Sequence, residues 1–115
     1  MNIEHNYFSE ESEVLAEIEA AGYHAVTLDF EAESNDAHWH DFDSLVYILD
    51  GQITVTDEQT GESCVCERGT KITAPRGVLH REDTPGHRAT IGLSVKPEEL
   101  TQPLNKPPPV VLDQG

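Results

Sequence analysis

The sequence predicts a small all-β protein, a barrel or sandwich with one short helix packed outside it. Three observations carry this. From His24 onward, apolar residues recur at every second position, the period of a strand with one buried face. Glycine and proline turn signals divide the chain into segments at short, regular spacing, the rhythm of an antiparallel barrel or sandwich. No strand–helix–strand rhythm is visible, so a doubly wound parallel sheet is not expected. A chain of 115 residues is long enough for one domain with a hydrophobic core of its own.

Residues 1–8 read as an N-terminal arm. Residues 9–21 read as the helix. Ser9 is its N-cap, and Glu10, Glu11 and Glu13 favour its first turn through the helix dipole. Val14, Leu15, Ile18 and Ala21 form one apolar stripe, and Gly22 suits a left-handed cap. The stripe is expected to pack on the barrel. His24, Val26, Leu28 and Phe30 then alternate along a strand, and 44–50 form a second, apolar one. Asp50-Gly51 is a tight-turn pair, after which Ile53 and Val55 alternate. Asp57 to Gly61 is a turn-rich loop. Segments 63–67, 70–74, 78–83 and 88–95 follow as strands, with Ala89, Ile91, Leu93 and Val95 alternating in the last. The barrel with its leading helix thus spans 9–96.

Residues 97–115 are a proline-rich C-terminal tail. Five of the seven prolines fall in 97–109, and such a run favours extended backbone without a hydrogen-bond ladder. Val110, Val111 and Leu112 either tack this tail to the domain or to a second subunit, or leave it loose.

Charge excludes several partners. The chain holds 22 acidic residues against 7 Lys and Arg, a formal net charge of -15. No Lys or Arg precedes Arg68, and all but 5 of the acids lie before it. Nucleic-acid affinity comes largely from Lys and Arg displacing counterions, so neither DNA or RNA nor an anionic membrane is an expected partner. The longest wholly apolar run, Leu45 to Leu49, is far short of the roughly 20 residues of a spanning helix. The acidic opening MNIEHNYFSEESE lacks the basic-then-apolar pattern of an export signal, and a cytoplasmic location is expected. Cys64 and Cys66 sit two apart on one strand face, a poor geometry for a disulfide, and are expected as small, partly buried apolar residues.

The sharpest chemical feature is His38-Trp39-His40. On a strand, residues two apart point the same way, so two imidazoles project from one face. His80 lies in another strand-like segment. Three imidazoles converging from two strands make a facial metal site with open positions. His5 in the arm and His87 beside Pro85-Gly86 are expected on the surface. Trp39, opposite in phase, is expected to pack against the helix or a neighbouring subunit, and Tyr47 to face outward.

Around these histidines the sequence resembles the cupin superfamily. Its first motif is G-x5-H-x-H-x3,4-E-x6-G. Here His38, His40 and Gly51 fill fixed positions, Ala32 replaces the opening glycine, and Ser44 stands where the glutamate belongs. The second motif is G-x5-P-x-G-x2-H-x3-N. Gly69, Pro75, Gly77 and His80 match it at the same spacing, and Thr84 takes the asparagine position. The resemblance covers residues 32–84 and implies a small double-stranded β-helix, a jelly-roll barrel, that commonly forms homodimers.

It also implies a divalent transition metal held by His38, His40 and His80. Iron comes first, with nickel, zinc, manganese and copper as alternatives. Without the glutamate the ligand set is neutral, as in three-histidine iron dioxygenases, and this favours a small organic anion as substrate. A bend bringing Asp41 or Asp43 to the metal is the minor alternative. The other functional readings are a non-catalytic small-molecule or metal sensor, and a metal-assisted isomerase or lyase. Ser44, Val46 and Ile48, in phase with the ligands, are candidate pocket residues, and Ile53, beyond Gly51, is added as further lining of the barrel. Asp43 and Arg76 are added as charged neighbours.

Overall fold

The computed structural model describes residues 1–109, so Val110, Val111 and Leu112 lie outside the described residues. Seven strands run β1 (Asn2–Glu4), β2 (His24–Phe30), β3 (Glu33–Ser34), β4 (Ser44–Asp57), β5 (Ser63–Glu67), β6 (Lys71–Ala74) and β7 (His80–Leu93). Helix α1 spans Glu11–Ala20. The strands form one sheet in the order β1-β6-β4-β7-β2, with β3 beside β7 and β5 beside β4. All pairings are antiparallel. The segment read as an arm thus contributes a strand, Asn2–Glu4, that pairs with β6. No helix among the described residues is long and apolar enough to cross a membrane.

Two expected turns are not turns. β4 continues through Gly51, and β7 continues through Pro85-Gly86. Gly51 and Gly86 take φ of 74° and 127°, values cheap only for glycine, and these bend the strands instead of reversing them. The ladder between β4 and β7 shifts register twice, at Ile48/Asp50 and at Gln52/Thr54. Such bulges bend and twist a sheet toward closure. A side chain at Gly51 would stand 2.4 Å from the Gly86 carbonyl and 2.9 Å from the His87 Cα, so the two long strands meet closely only because position 51 is glycine.

Alternation along β4 feeds two apolar clusters. Ile48, Ile53 and Val55 point inward and pack with Cys66, Ile72 and Ala89. Burial pushes the Cys66 thiol up to about 12. Tyr47 and Leu49 point the other way and pack with Phe8, Val14 and Ile18. Each such burial contributes roughly 1.5–3 kcal/mol. Tyr47 therefore points out of the barrel as expected, but α1 covers it completely, leaving 0% exposed. Val14 and Ile18 are the buried stripe of α1, whereas Leu15 is 50% exposed, because the short helix rests on the sheet by one narrow edge. Ser9 does not cap the helix through its backbone amides; its hydroxyl bonds the Glu13 carboxylate.

A closed polar cluster accompanies that outer packing. The Tyr7 and Tyr47 hydroxyls each donate to a Glu17 oxygen. The Lys71 ammonium stands 2.9 Å from the same carboxylate and 4.5 Å from the Tyr7 ring centroid. Glu17 feels an opposing push from burial, but the two phenols and Lys71 outweigh it and hold its carboxyl below the ordinary value. Burial, with Glu17 beside it, drives the Tyr47 phenol well above its own.

Candidate metal centre

Backbone pairing explains why three distant histidines meet. His38 and His80 lie opposite one another, each amide bonded to the other's carbonyl at 2.8 and 3.0 Å. His40 follows two residues on, and its carbonyl accepts the Gly77 amide at 2.9 Å. The rings of His38, His40 and His80 stand 4.4 to 5.3 Å apart, centroid to centroid. His38 and His80 are buried and His40 is half-buried.

All three rings are turned the same way. Nδ1 of His38 faces the Asp36 carbonyl at 2.8 Å, Nδ1 of His40 the Leu104 carbonyl at 2.9 Å, and Nδ1 of His80 the Val78 carbonyl at 3.0 Å. A carbonyl only accepts, so each Nδ1 must carry the proton and each neutral ring presents a bare Nε2. Such backbone contacts are how proteins fix the tautomer of metal-binding histidines.

A fourth donor, absent from the sequence reading, is Glu82. Its Oε1 lies 3.0 Å from His38 Nε2 and 3.3 Å from His80 Nε2. Donor atoms of His38, His40, His80 and Glu82 all fall within 4.8 Å of one another. The neutral three-histidine set expected from Ser44 is thereby corrected, because the strand after the third histidine supplies a carboxylate. The signal was present: His80-Arg81-Glu82 repeats the two-residue spacing of His38-Trp39-His40, which places both side chains on one face.

The donor set itself fits a cation. The buried Nε2 of His38 has no hydrogen-bond partner although a carboxylate oxygen is close by. Two acceptors facing each other in a buried site are costly unless a proton or a metal ion lies between them. Donors about 2.1 Å from one ion and at right angles to each other stand about 3 Å apart, close to the separations of Glu82 from the two imidazoles. Burial raises the Glu82 carboxyl, but His38 and His80 outweigh it and hold it far below the carboxylate range. Burial likewise lowers His38, whose net shift is upward because Glu82 and the Asp36 carbonyl prevail, while burial leaves His40 lowered.

The centre opens on a cavity of about 300 Å³ inside the barrel, lined by His40, His80 and Glu82 together with a mainly apolar wall. Of the expected pocket residues, Ser44, Val46 and Ile53 line it. Ile48 faces the same interior but belongs to the packed core cluster and does not line the cavity. Asp43 and Arg76 pair with each other instead, the Arg76 amide 2.8 Å and its guanidinium 3.2 Å from the carboxylate. Neither Asp43 nor Asp41 belongs to the cluster of donor atoms, and Asp41 is engaged by Thr101 at 2.6 Å. His87, expected at the surface, lines the cavity, because the strand does not break at Pro85-Gly86.

The tail reaches this site. A single 3-10 turn at Pro97–Glu99 leads into a segment whose Pro97, Leu100, Leu104 and Asn105 line the cavity. Trp39 and Lys106 exchange backbone hydrogen bonds at 3.1 and 2.9 Å, and the Trp39 indole donates to the Pro107 carbonyl at 2.7 Å. Trp39 thus packs on the C-terminal segment and not on the helix, since that segment runs as a neighbouring strand would.

No protein-family model matches the chain, and no curated protein matches it. Solved structures do. A DUF861 family protein from Thermotoga maritima is 25% identical, covering 80% of this chain and 97% of its own, with a TM-score of 0.61. A cupin-2 domain containing protein from Shewanella frigidimarina is 17% identical over 64% of this chain and 71% of its own, at 0.54. The polyketide cyclase RemF from Streptomyces resistomycificus is 21% identical over 78% of this chain, at 0.54, and the match spans 63% of that protein. With this barrel, and with histidines paired across it, the chain shares the fold of these structures, among them a DUF861 family protein and a cupin-2 domain containing protein.

Proposed function

We propose that the protein is a metal-dependent cupin enzyme, with His38, His40, His80 and Glu82 holding a divalent transition metal beside an apolar cavity that takes a small organic molecule. Iron is the first candidate, and dioxygenase chemistry the activity proposed. The observation that carries the reading is the convergence of three imidazoles and one carboxylate within 4.8 Å, with the buried His38 Nε2 lacking a hydrogen-bond partner. Three imidazoles and one carboxylate suit several first-row ions. When bound, such an ion supplies Lewis acidity and, as iron, redox chemistry with dioxygen.

The chain's own part is positional. Carbonyls of Asp36, Leu104 and Val78 orient the rings. Phe42 stacks on His40 at 5.1 Å and fixes its plane. The apolar wall limits water at the open side of the centre. An anionic substrate was expected from a neutral ligand set, and Glu82 removes that premise.

The test is elemental analysis of untagged protein beside a His38→Ala, His80→Ala double variant, followed by an oxygen-uptake screen. Near-stoichiometric transition metal in the wild type, lost in the variant, supports the reading. No metal after reconstitution with ferrous, nickel, manganese and zinc ions overturns it and leaves a metal-free binding protein. Metal without oxygen uptake favours the isomerase or lyase reading. A cytoplasmic homodimer acting on a small molecule completes the proposal, with sedimentation of the full chain as the check on its oligomeric state.

A further inference from the structure

We propose that His87 is the second polar anchor of the cavity, accepting at Nε2 a hydrogen bond from the hydroxyl of a neutral, largely apolar ligand. The Thr84 hydroxyl fixes which nitrogen of His87 is bare. It donates its one proton to the Gln52 carbonyl at 2.6 Å and accepts the Gly86 amide at 3.0 Å. Its 3.0 Å contact with His87 Nδ1 therefore requires the imidazole to donate. Nδ1 holds the proton and Nε2 holds a lone pair, to which no protein group among the described residues bonds.

The ring is held in place from two sides. It stacks on Phe30 with centroids 4.6 Å apart and planes 10° from parallel. Behind it, the missing side chain of Gly51 lets β4 come up against the His87 backbone. Burial keeps the imidazole below its ordinary value, so it stays neutral.

The cavity wall sets the ligand class. Val26, Leu28, Phe30, Phe42, Ile91 and Leu93 supply apolar surface, and Glu33 and Glu82 are the charged side chains that line it. No lysine or arginine does. A carboxylate or phosphate entering here would lose its hydration against two acids and find no side-chain cation, a cost that only the ion of the centre would offset. A neutral molecule with one hydroxyl meets apolar wall, a lone pair at His87 and the metal centre. The inference rests on the proposed use of this cavity as the ligand site, though not on which ion the centre holds.

The test uses three probes of one shape: 2-naphthol, its methyl ether and 2-naphthoate. Each is titrated into the full chain at neutral pH, with metal content measured in the same samples. The naphthol is expected to bind at least about tenfold more tightly than the naphthoate and roughly threefold to tenfold more tightly than the ether, the value of one hydrogen bond. His87→Phe keeps the stack on Phe30 and should abolish the preference over the ether while retaining metal.

Nitrogen NMR of the wild-type ring gives a second readout, independent of any variant. His87 Nε2 should resonate as an unprotonated nitrogen and shift when naphthol is added. Equal or tighter binding of the naphthoate, an unchanged preference in His87→Phe, or an unperturbed His87 Nε2 overturns the proposal. Intact naphthol selectivity in protein that takes up no metal would sink the metal reading alone. Metal uptake without that selectivity would sink this one alone.

Discussion

Two polar clusters lie on opposite sides of the barrel wall, and they differ in how their hydrogen bonds balance. Outside the barrel, under α1, two phenols and one ammonium serve one carboxylate, Glu17. Every donor has an acceptor, and one positive charge meets one negative. Inside, three imidazoles turn Nδ1 to backbone carbonyls, and His38 and His80 bring Nε2 to Glu82. The outer cluster is complete without a ligand and reads as structure. The inner one needs a proton or a metal ion between its acceptors to be complete. Proton accounting, more than burial or charge, separates a site that holds a fold together from one that waits for something to bind.

Metal addition is the strongest way to break this comparison. An ion at a thousand times its dissociation constant stabilises the folded chain by about 4 kcal/mol. The wild type should show that rise in thermal midpoint and His80→Ala should lose it. An equal rise in the variant would mean that the inner cluster is not the site. The converse experiment is Tyr47→Phe, which removes a buried donor from the Glu17 carboxylate. Urea unfolding should show a loss of about 1.5–3 kcal/mol, the worth of a hydrogen bond to a charged group. Metal affinity should not change, and a large change would show that the clusters are coupled through β4.

Next comes the carboxylate itself. Glu82→Gln should weaken metal binding in calorimetric titration by more than the roughly 10–100-fold that loss of an outer-shell partner costs, and adding Ser44→Glu should recover part of the loss. The smallest effect is in pH. Glu17 is held below its ordinary 4.5, so its contribution is present above that value and fades as pH falls through the folded-state value. Because the carboxylate is partly exposed, the amount is at most about 1 kcal/mol. Unfolding measured from neutral to acid pH should fall less steeply in Glu17→Gln than in the wild type, and identical slopes would remove Glu17 from the account.

The parts of the site that sequence revealed share one property: they depend on local period. His38 and His40 share a face because strands alternate, and His80 follows from motif spacing. Glu82 obeys the same alternation, but the motif pattern puts its carboxylate at the position of Ser44 and fixes nothing two residues after the last histidine. His87 was hidden for a different reason. Pro85-Gly86 carries the chemistry of a turn, and only pairing with β4 across Gly51 keeps that stretch a strand. Tyr47 was placed on the correct side of the sheet, yet its burial depends on where α1 lies, a tertiary fact that no residue near Tyr47 encodes. Leu15 errs in the opposite sense, since helical spacing marks an apolar stripe without saying how wide the contact will be.

The contact between the His40 ring and the Leu104 carbonyl makes the proline-rich segment a support of the histidine cluster. His38 and His80 are oriented by carbonyls of their own neighbourhood, Asp36 and Val78. His40 alone borrows its carbonyl from a segment 64 residues away, held in place by Trp39. A change in how residues 104–107 dock would therefore reach one ring of the three and leave the other two as they are.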